Sequence, residues 1–247
     1  MPSVTLAVIL VALPAQDTAA WRAGLSYVHE RFTRDRASWN TFTASATRRV
    51  RLHTFGAQVG TVERFDQTDA QLTAEAYLRL APRIYVHVHG AVAPGADVIA
   101  SSDLSAEVFR GVRGGWELSA GYRRMSFPID AVDILSASVA AYRGWWYVRA
   151  RAVAVPTAGS TGFSGGLTAR RYFGRADRFA ELQGGGGKEV VLVGVGPTVE
   201  LRSLGFLSAR GEALLDRRWG VSGGLSWNAE EGIPSRYGLT IGLFTVW

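Results

Sequence analysis

Residues 236–247 read Arg-Tyr-Gly-Leu-Thr-Ile-Gly-Leu-Phe-Thr-Val-Trp, and their alternation decides the fold. Tyr237, Leu239, Ile241, Leu243 and Trp247 fall on one face of an extended segment, while Arg236, Gly238, Thr240 and Gly242 fall on the other. A period of two is the mark of a β-strand. Apolar residues on one side and small or polar residues on the other is the pattern of a strand between lipid and a polar lumen.

Residues 67–80 repeat the pattern, with Ala70, Leu72, Ala74, Ala76, Leu78 and Leu80 opposed by Gln71, Thr73, Glu75, Tyr77 and Arg79. A soluble β-sandwich would show the same period, so the remaining sequence must choose between them. Fourteen strands are expected, near 21–31, 38–49, 51–64, 67–80, 83–93, 101–110, 115–126, 131–143, 144–156, 160–174, 177–188, 198–213, 218–229 and 235–247. Twelve is the alternative, if 38–49 and 101–110 are loops. Segments of this length are long for a soluble sheet and suit tilted membrane strands.

The connections fall into a short class around Arg49, Pro82, Arg143-Gly144 and Arg175, and a longer class around Asp66, Pro94-Gly95, Pro128, Pro156, Val193-Gly194 and Ile233-Pro234. Membrane barrels have tight periplasmic turns and longer outer loops, which places both termini in the periplasm. None of the connections is long enough for a folded-in constriction loop or a plug. Proline cannot donate to a ladder, and Pro82, Pro94, Pro128, Pro156, Pro197 and Pro234 are expected in connections. Trp21, Trp116, Trp145, Trp146, Trp219 and Trp247 gather at the tight-turn end, as an aromatic girdle would. These features favour a closed, antiparallel, up-and-down transmembrane β-barrel over residues 21–247 as one domain.

Ahead of that domain, Val4–Leu13 is an apolar run too short to cross a bilayer as a helix, followed by Ala15, Ala19 and Ala20. It reads as the core of an export signal over residues 1–20, although no Lys or Arg precedes it. Composition agrees with a membrane wall: 47% hydrophobic, 19% charged, 29 Gly and 8 Trp. With no Cys, disulfides, thiolate metal sites and a Cys nucleophile are excluded. The formal charge of +6 comes from arginines scattered through apolar alternation, without the clustered stripe that phosphate tracking needs, so nucleic acid is not an expected partner.

Opposed residues of a hairpin share a face, so three hairpins predict lumen partners. Pairing 170 with 181 sets Arg170 against Glu181, Thr168 against Gln183 and Tyr172 against Phe179; pairing 75 with 89 sets Glu75 against His89, Tyr77 against His87 and Arg79 against Tyr85. Pairing 142 with 145 sets Ser138 against Arg149 and Ser136 against Arg151. The inward carboxylates are then Glu75, Glu107, Glu117, Glu181, Glu200 and Glu212. The inward arginines are Arg64, Arg79, Arg123, Arg149, Arg151, Arg170, Arg202 and Arg210. Unpaired buried charge is costly, so these groups pair or meet water. The candidate lumen network is Glu75, His89, Arg149, Arg151, Arg170, Glu181, Arg202 and Arg210. It serves either as a brace for the wall or as the lining of a narrow path for anionic or sugar-like solutes.

Enzyme chemistry has little to stand on. His89 with Glu75 is the best candidate dyad for a lipid-modifying site, but no serine on the neighbouring strand occupies an attack position, and a histidine satisfied within the lumen is the plainer account. Gly184–Gly187 and Gly194-Val195-Gly196 lack the helix and the Lys-Ser/Thr of a phosphate loop. No metal site, cofactor or catalytic residue is expected.

Tyr142-Arg143-Gly144-Trp145-Trp146, Gly162–Leu167, Arg170-Arg171-Tyr172-Phe173-Gly174 and Gly184–Gly187 together resemble the YaiO family of outer-membrane β-barrels. The resemblance implies location and architecture more than activity. Related barrel domains stand beside tetratricopeptide or glycosyltransferase regions, which implies a link to exopolysaccharide passage. The expected partners are outer-membrane lipid, the barrel-assembly machinery through the closing strand ending at Trp247, and an anionic saccharide.

Overall fold

The computed structural model describes residues 21–34, 36–128, 130–157, 159–193 and 198–247. The expected export signal, Pro197 and the Gly194–Gly196 segment lie outside these residues, as do the side chains of residues 189–199.

The chain is a closed barrel of fourteen antiparallel strands in sequence order. They are β1 (Trp21–Phe32), β2 (Trp39–Val50), β3 (His53–Arg64), β4 (Gln67–Ala81), β5 (Ile84–Val92), β6 (Ser102–Val112) and β7 (Trp116–Ser126). There follow β8 (Ala131–Arg143), β9 (Trp146–Pro156), β10 (Thr161–Tyr172), β11 (Phe179–Val193), β12 (Thr198–Leu214), β13 (Trp219–Glu230) and β14 (Ile233–Val246). The residues expected to alternate in 236–247 do so in β14, which zips against β1 from Arg22↔Val246 to Phe32↔Arg236. That pairing leaves no free edge. Both doubtful segments are strands, β2 and β6, so the count is fourteen and not twelve.

What separates this from a sandwich is the outer surface. Phe163, Leu225, Leu182, Leu239 and Ile241 are each 51–67% exposed, and among the described residues no second protein layer covers them. Such a continuous apolar wall belongs in lipid. At the end where β1 begins and β14 finishes, Trp21, Trp116, Trp145, Trp146, Trp219 and Trp247 are all exposed, and Trp21 stacks on Trp247 at 6.3 Å.

Several connections differ from expectation. Phe65-Asp66 and Glu231-Gly232 are two-residue turns at the supposedly loose end. Phe65 and Asp66 both take positive φ, 52° and 60°, the geometry that suits a tight hairpin. Without an Asn-Gly or Asp-Gly pair, nothing local announced it; the Phe65 ring is held instead against Trp39 at 5.2 Å. Residues 173–178 make a six-residue connection at the supposedly tight end. Pro156 closes β9 and Pro234 enters β14, both at strand termini, where a missing donor costs least.

The largest departure is the connection 93–101. It folds inward, with Ala93, Ala96, Val98, Ile99 and Ala100 no more than 8% exposed. Val98 and Ile99 pack with Val62, while Ala100 joins Phe127, Val132 and Val155. The short apolar run suffices because its polar backbone finds a partner in Asp69, on the inward face of β4.

Candidate functional site

Glu75, His89, Arg149, Arg151, Arg170, Glu181 and Arg210 of the expected lumen network face inward, and the strands fix which neighbours each meets. Arg170 and Glu181 are direct partners across β10 and β11, as expected, and their side chains bond at 2.7 Å through Nε. Arg210, opposite Glu181 on β12, donates to the other carboxylate oxygen at 2.6 Å. Glu181 therefore sits between two guanidiniums, and Arg170 lies over the Phe179 ring at 4.4 Å.

The 75/89 hairpin pairs as expected, Glu75 with His89, Tyr77 with His87 and Arg79 with Tyr85, whereas the hairpin at 142/145 is shifted. Ser138 lies opposite Arg151 rather than Arg149, because Gly144 and Trp145 form the turn and Arg143 pairs with Trp146. The slip is two residues, so every inward side chain stays inward. Yet Arg149 Nε still reaches Ser138 Oγ at 2.9 Å and Arg151 reaches Ser136 Oγ at 2.9 Å, along the diagonal. Glu75 behaves in the same way: its backbone partner is His89, but its carboxylate bonds His87 Nε2 at 3.2 Å. The expected Glu75–His89 dyad does not form. His89 Nε2 lies 3.9 Å from Asp103, which also takes two bonds from Arg123. Barrel strands tilt against the axis, so a side chain meets the residue two further along its neighbour as readily as the one opposite.

Diagonal contacts build a continuous belt. Glu107 on β6 accepts from Ser119 Oγ at 2.5 Å and bonds Arg149, while Ser119 touches Ser138 at 2.6 Å. Arg151 lies 3.9 Å from the second oxygen of Glu107. Gly121, opposite Glu107, supplies the room: a Cβ there would fall 2.9 Å from Ser136 Oγ and 3.1 Å from the Glu107 side chain. Glu107 and His87 were expected on the inward face but outside the network, and Asp103 was not singled out; Glu107 meets Arg149 three strands on, while His87 and Asp103 bond groups on adjacent strands. Arg202 takes no part in the belt; it pairs with Glu200 at 2.8 Å toward the end opposite the termini.

Below the belt, at the terminal end, inward aromatics make a floor. Tyr147 and Tyr172 pack with Phe179, and Tyr85 and Tyr142 both donate to Glu117, at 3.0 and 3.3 Å. At the other end the mouth is narrowed by residues 93–101, whose Asp97, Val98 and Ile99 amides donate to the Asp69 carboxylate at 2.8–3.1 Å. Between floor and loop lies a cavity of about 320 Å³, lined by Tyr77, His87, Arg123, Arg151, Phe206 and Arg210 among others. Among the described residues no cluster of three or more His, Cys, Asp or Glu is placed to hold a metal ion.

A family model described as "YaiO membrane beta barrel domain" matches residues 21–190. Among solved structures, the chain is similar to the outer membrane protein Omp33 of Acinetobacter baumannii, with TM-score 0.56, 10% identity, and 93% of this chain and 99% of that one covered. It is also similar to a bacterial polysaccharide outer membrane secretin, with TM-score 0.53, 7% identity and coverage of 94% and 100%. A third is OpdO of Pseudomonas aeruginosa, with TM-score 0.52, 10% identity and coverage of 93% and 97%. At these identities the likeness is one of fold. No curated protein sequence matches.

Proposed function

The chain belongs to the YaiO membrane β-barrel family of the outer membrane, and on that footing we propose that its lumen is a narrow passage for small anionic or saccharide solutes. Arg151 carries the reading. Its side chain keeps 45% exposure inside the barrel, whereas Arg149 and Arg170 beside it are almost fully withdrawn into pairs at 9% and 4%. A guanidinium held toward lumen water, beside a cavity of about 320 Å³, offers a passing carboxylate or phosphate a two-pronged contact. The belt around it braces the wall. The end with Trp21 and Trp247 is assigned to the periplasm, and the loop 93–101 narrows the outer mouth.

No enzyme activity is assigned. His87 bonds Glu75 and His89 faces Asp103, while the serines nearest the belt, Ser119 and Ser138, contact Glu107 and Arg149 rather than a histidine. An activated nucleophile needs a base within hydrogen-bond reach.

The test is conductance of the refolded protein in planar bilayers. Small, anion-preferring currents that acidic oligosaccharides block, and that Arg151→Gln shifts toward cation preference, support the passage. Silent bilayers across a range of voltages and salts overturn it. Incubation with labelled phospholipids, comparing the protein with His89→Ala, tests the enzyme alternative: product formed by the former and not the latter would refute the assignment above.

A further inference from the structure

The two rims of the barrel differ in charge. The six connections at the terminal end span 51–52, 82–83, 113–115, 144–145, 173–178 and 215–218 and hold seven arginines against two aspartates. Both aspartates are engaged inside their own turns. Asp177 pairs with Arg175 at 3.0 Å, and Asp216 accepts the backbone amides of Arg218 and Trp219. Arg51, Arg83, Arg113 and Arg217 are exposed and make no side-chain hydrogen bond or ion pair among the described residues. The connections at the other end carry in sequence Arg34 and Arg36 against Asp35, Asp66, Asp97, Asp130 and Glu231.

Arginines at the strand ends that enter these turns stand at the level of the tryptophan girdle. Arg48 lies over Trp21 at 4.9 Å, Arg171 over Trp146 at 5.4 Å and Arg143 over Trp116 at 5.6 Å. Exposed tryptophans of a membrane protein settle at the headgroup boundary. A ring of arginines tied to them, and continued by the turns, therefore lies where lipid phosphates lie.

We propose that this rim is a binding surface for anionic phospholipid headgroups, which seats the terminal end of the barrel in a leaflet containing them. The ring surrounds the barrel instead of forming a pocket, which suits a shell of lipids better than a single soluble ligand. Basic residues near an anionic surface each add attraction that salt screens. The inference concerns the outer wall and holds whether or not the lumen conducts.

The test uses the folded full barrel in phosphatidylcholine vesicles, in a Trp227→Phe background, so that the exposed tryptophans all lie at the terminal end. Their quenching by brominated phosphatidylglycerol is compared with quenching by brominated phosphatidylcholine. Preference for the anionic lipid by roughly fivefold or more, shrinking as sodium chloride is raised and unaffected by added glycerol phosphate, is the expected result. The combined variant Arg51→Gln, Arg83→Gln, Arg113→Gln and Arg217→Gln should fold, as judged by heat-modifiable gel mobility, and lose most of the preference. Equal quenching by the two lipids overturns the proposal, as does a preference that the variant keeps or that glycerol phosphate abolishes. If the variant does not fold, the salt dependence of the parent decides: a preference unmoved by salt refutes the electrostatic surface.

Discussion

The Asp69 carboxylate accepts the amide of Val98 at 2.8 Å, from a strand face to the middle of a loop 29 residues on. The same carboxylate takes the amides of Asp97 and Ile99, so one buried side chain holds the turn of chain that narrows the mouth. Asp69→Ala removes a charged acceptor from three amides at once, and loss of such bonds costs about 3 kcal/mol. Thermal unfolding in detergent should show the loss, and limited proteolysis should newly cut within 93–101. A loop still protected in the variant would mean that Val98 and Ile99 hold it by packing alone.

Glu181 stands between Arg170 and Arg210. Removing it as Glu181→Gln leaves Arg170, with its side chain 4% exposed, without its counter-charge. Breaking a buried pair in this way costs about 3–5 kcal/mol. The double change Glu181→Leu with Arg170→Met should recover much of that stability, because it removes the fully buried pair and leaves only Arg210, whose side chain is 23% exposed to lumen water. Denaturant titrations of the two variants side by side check the order.

Gly121 and Gly165 make a matched contrast. A methyl at Gly121 meets Ser136 Oγ at 2.9 Å and pushes on Glu107, whereas one at Gly165 meets only the Arg151 carbonyl at 3.4 Å. Gly121→Ala should therefore cost about 1–3 kcal/mol through overpacking. Gly165→Ala should lie close to the parent protein when both are unfolded under identical conditions.

Asp216 gives a pH dependence outside the membrane wall. The amides of Trp219 and Arg218 hold its carboxyl below the usual carboxylate range. A pKa depressed by folding contributes stability above the unfolded value, about 3.9, and that contribution is lost as pH falls through the folded value. The stability gap between parent and Asp216→Ala should be constant near neutrality and narrow in acid. A gap that widens in acid would contradict the assigned bonds.

The fold was legible because lipid reads every strand by the same rule. Leu239, Ile241 and Leu243 must face outward whatever their neighbours do, so alternation alone set the wall, the inward charges and the parity of each register. A slip of two residues at Gly144-Trp145 left that parity untouched.

The contacts inside the lumen were not legible to the same depth. Glu75 chose His87 over His89, and Glu107 found Arg149 three strands away, because tilt and closure bring diagonal neighbours together. The inward loop 93–101 was hidden for a related reason: its stability rests on Asp69, far off in sequence. Local periodicity thus determined which side of the barrel each residue faces, since that depends only on the pleat. Which inward groups touch, and how narrow the mouth is, were decided by barrel closure, because those distances exist only once β1 meets β14.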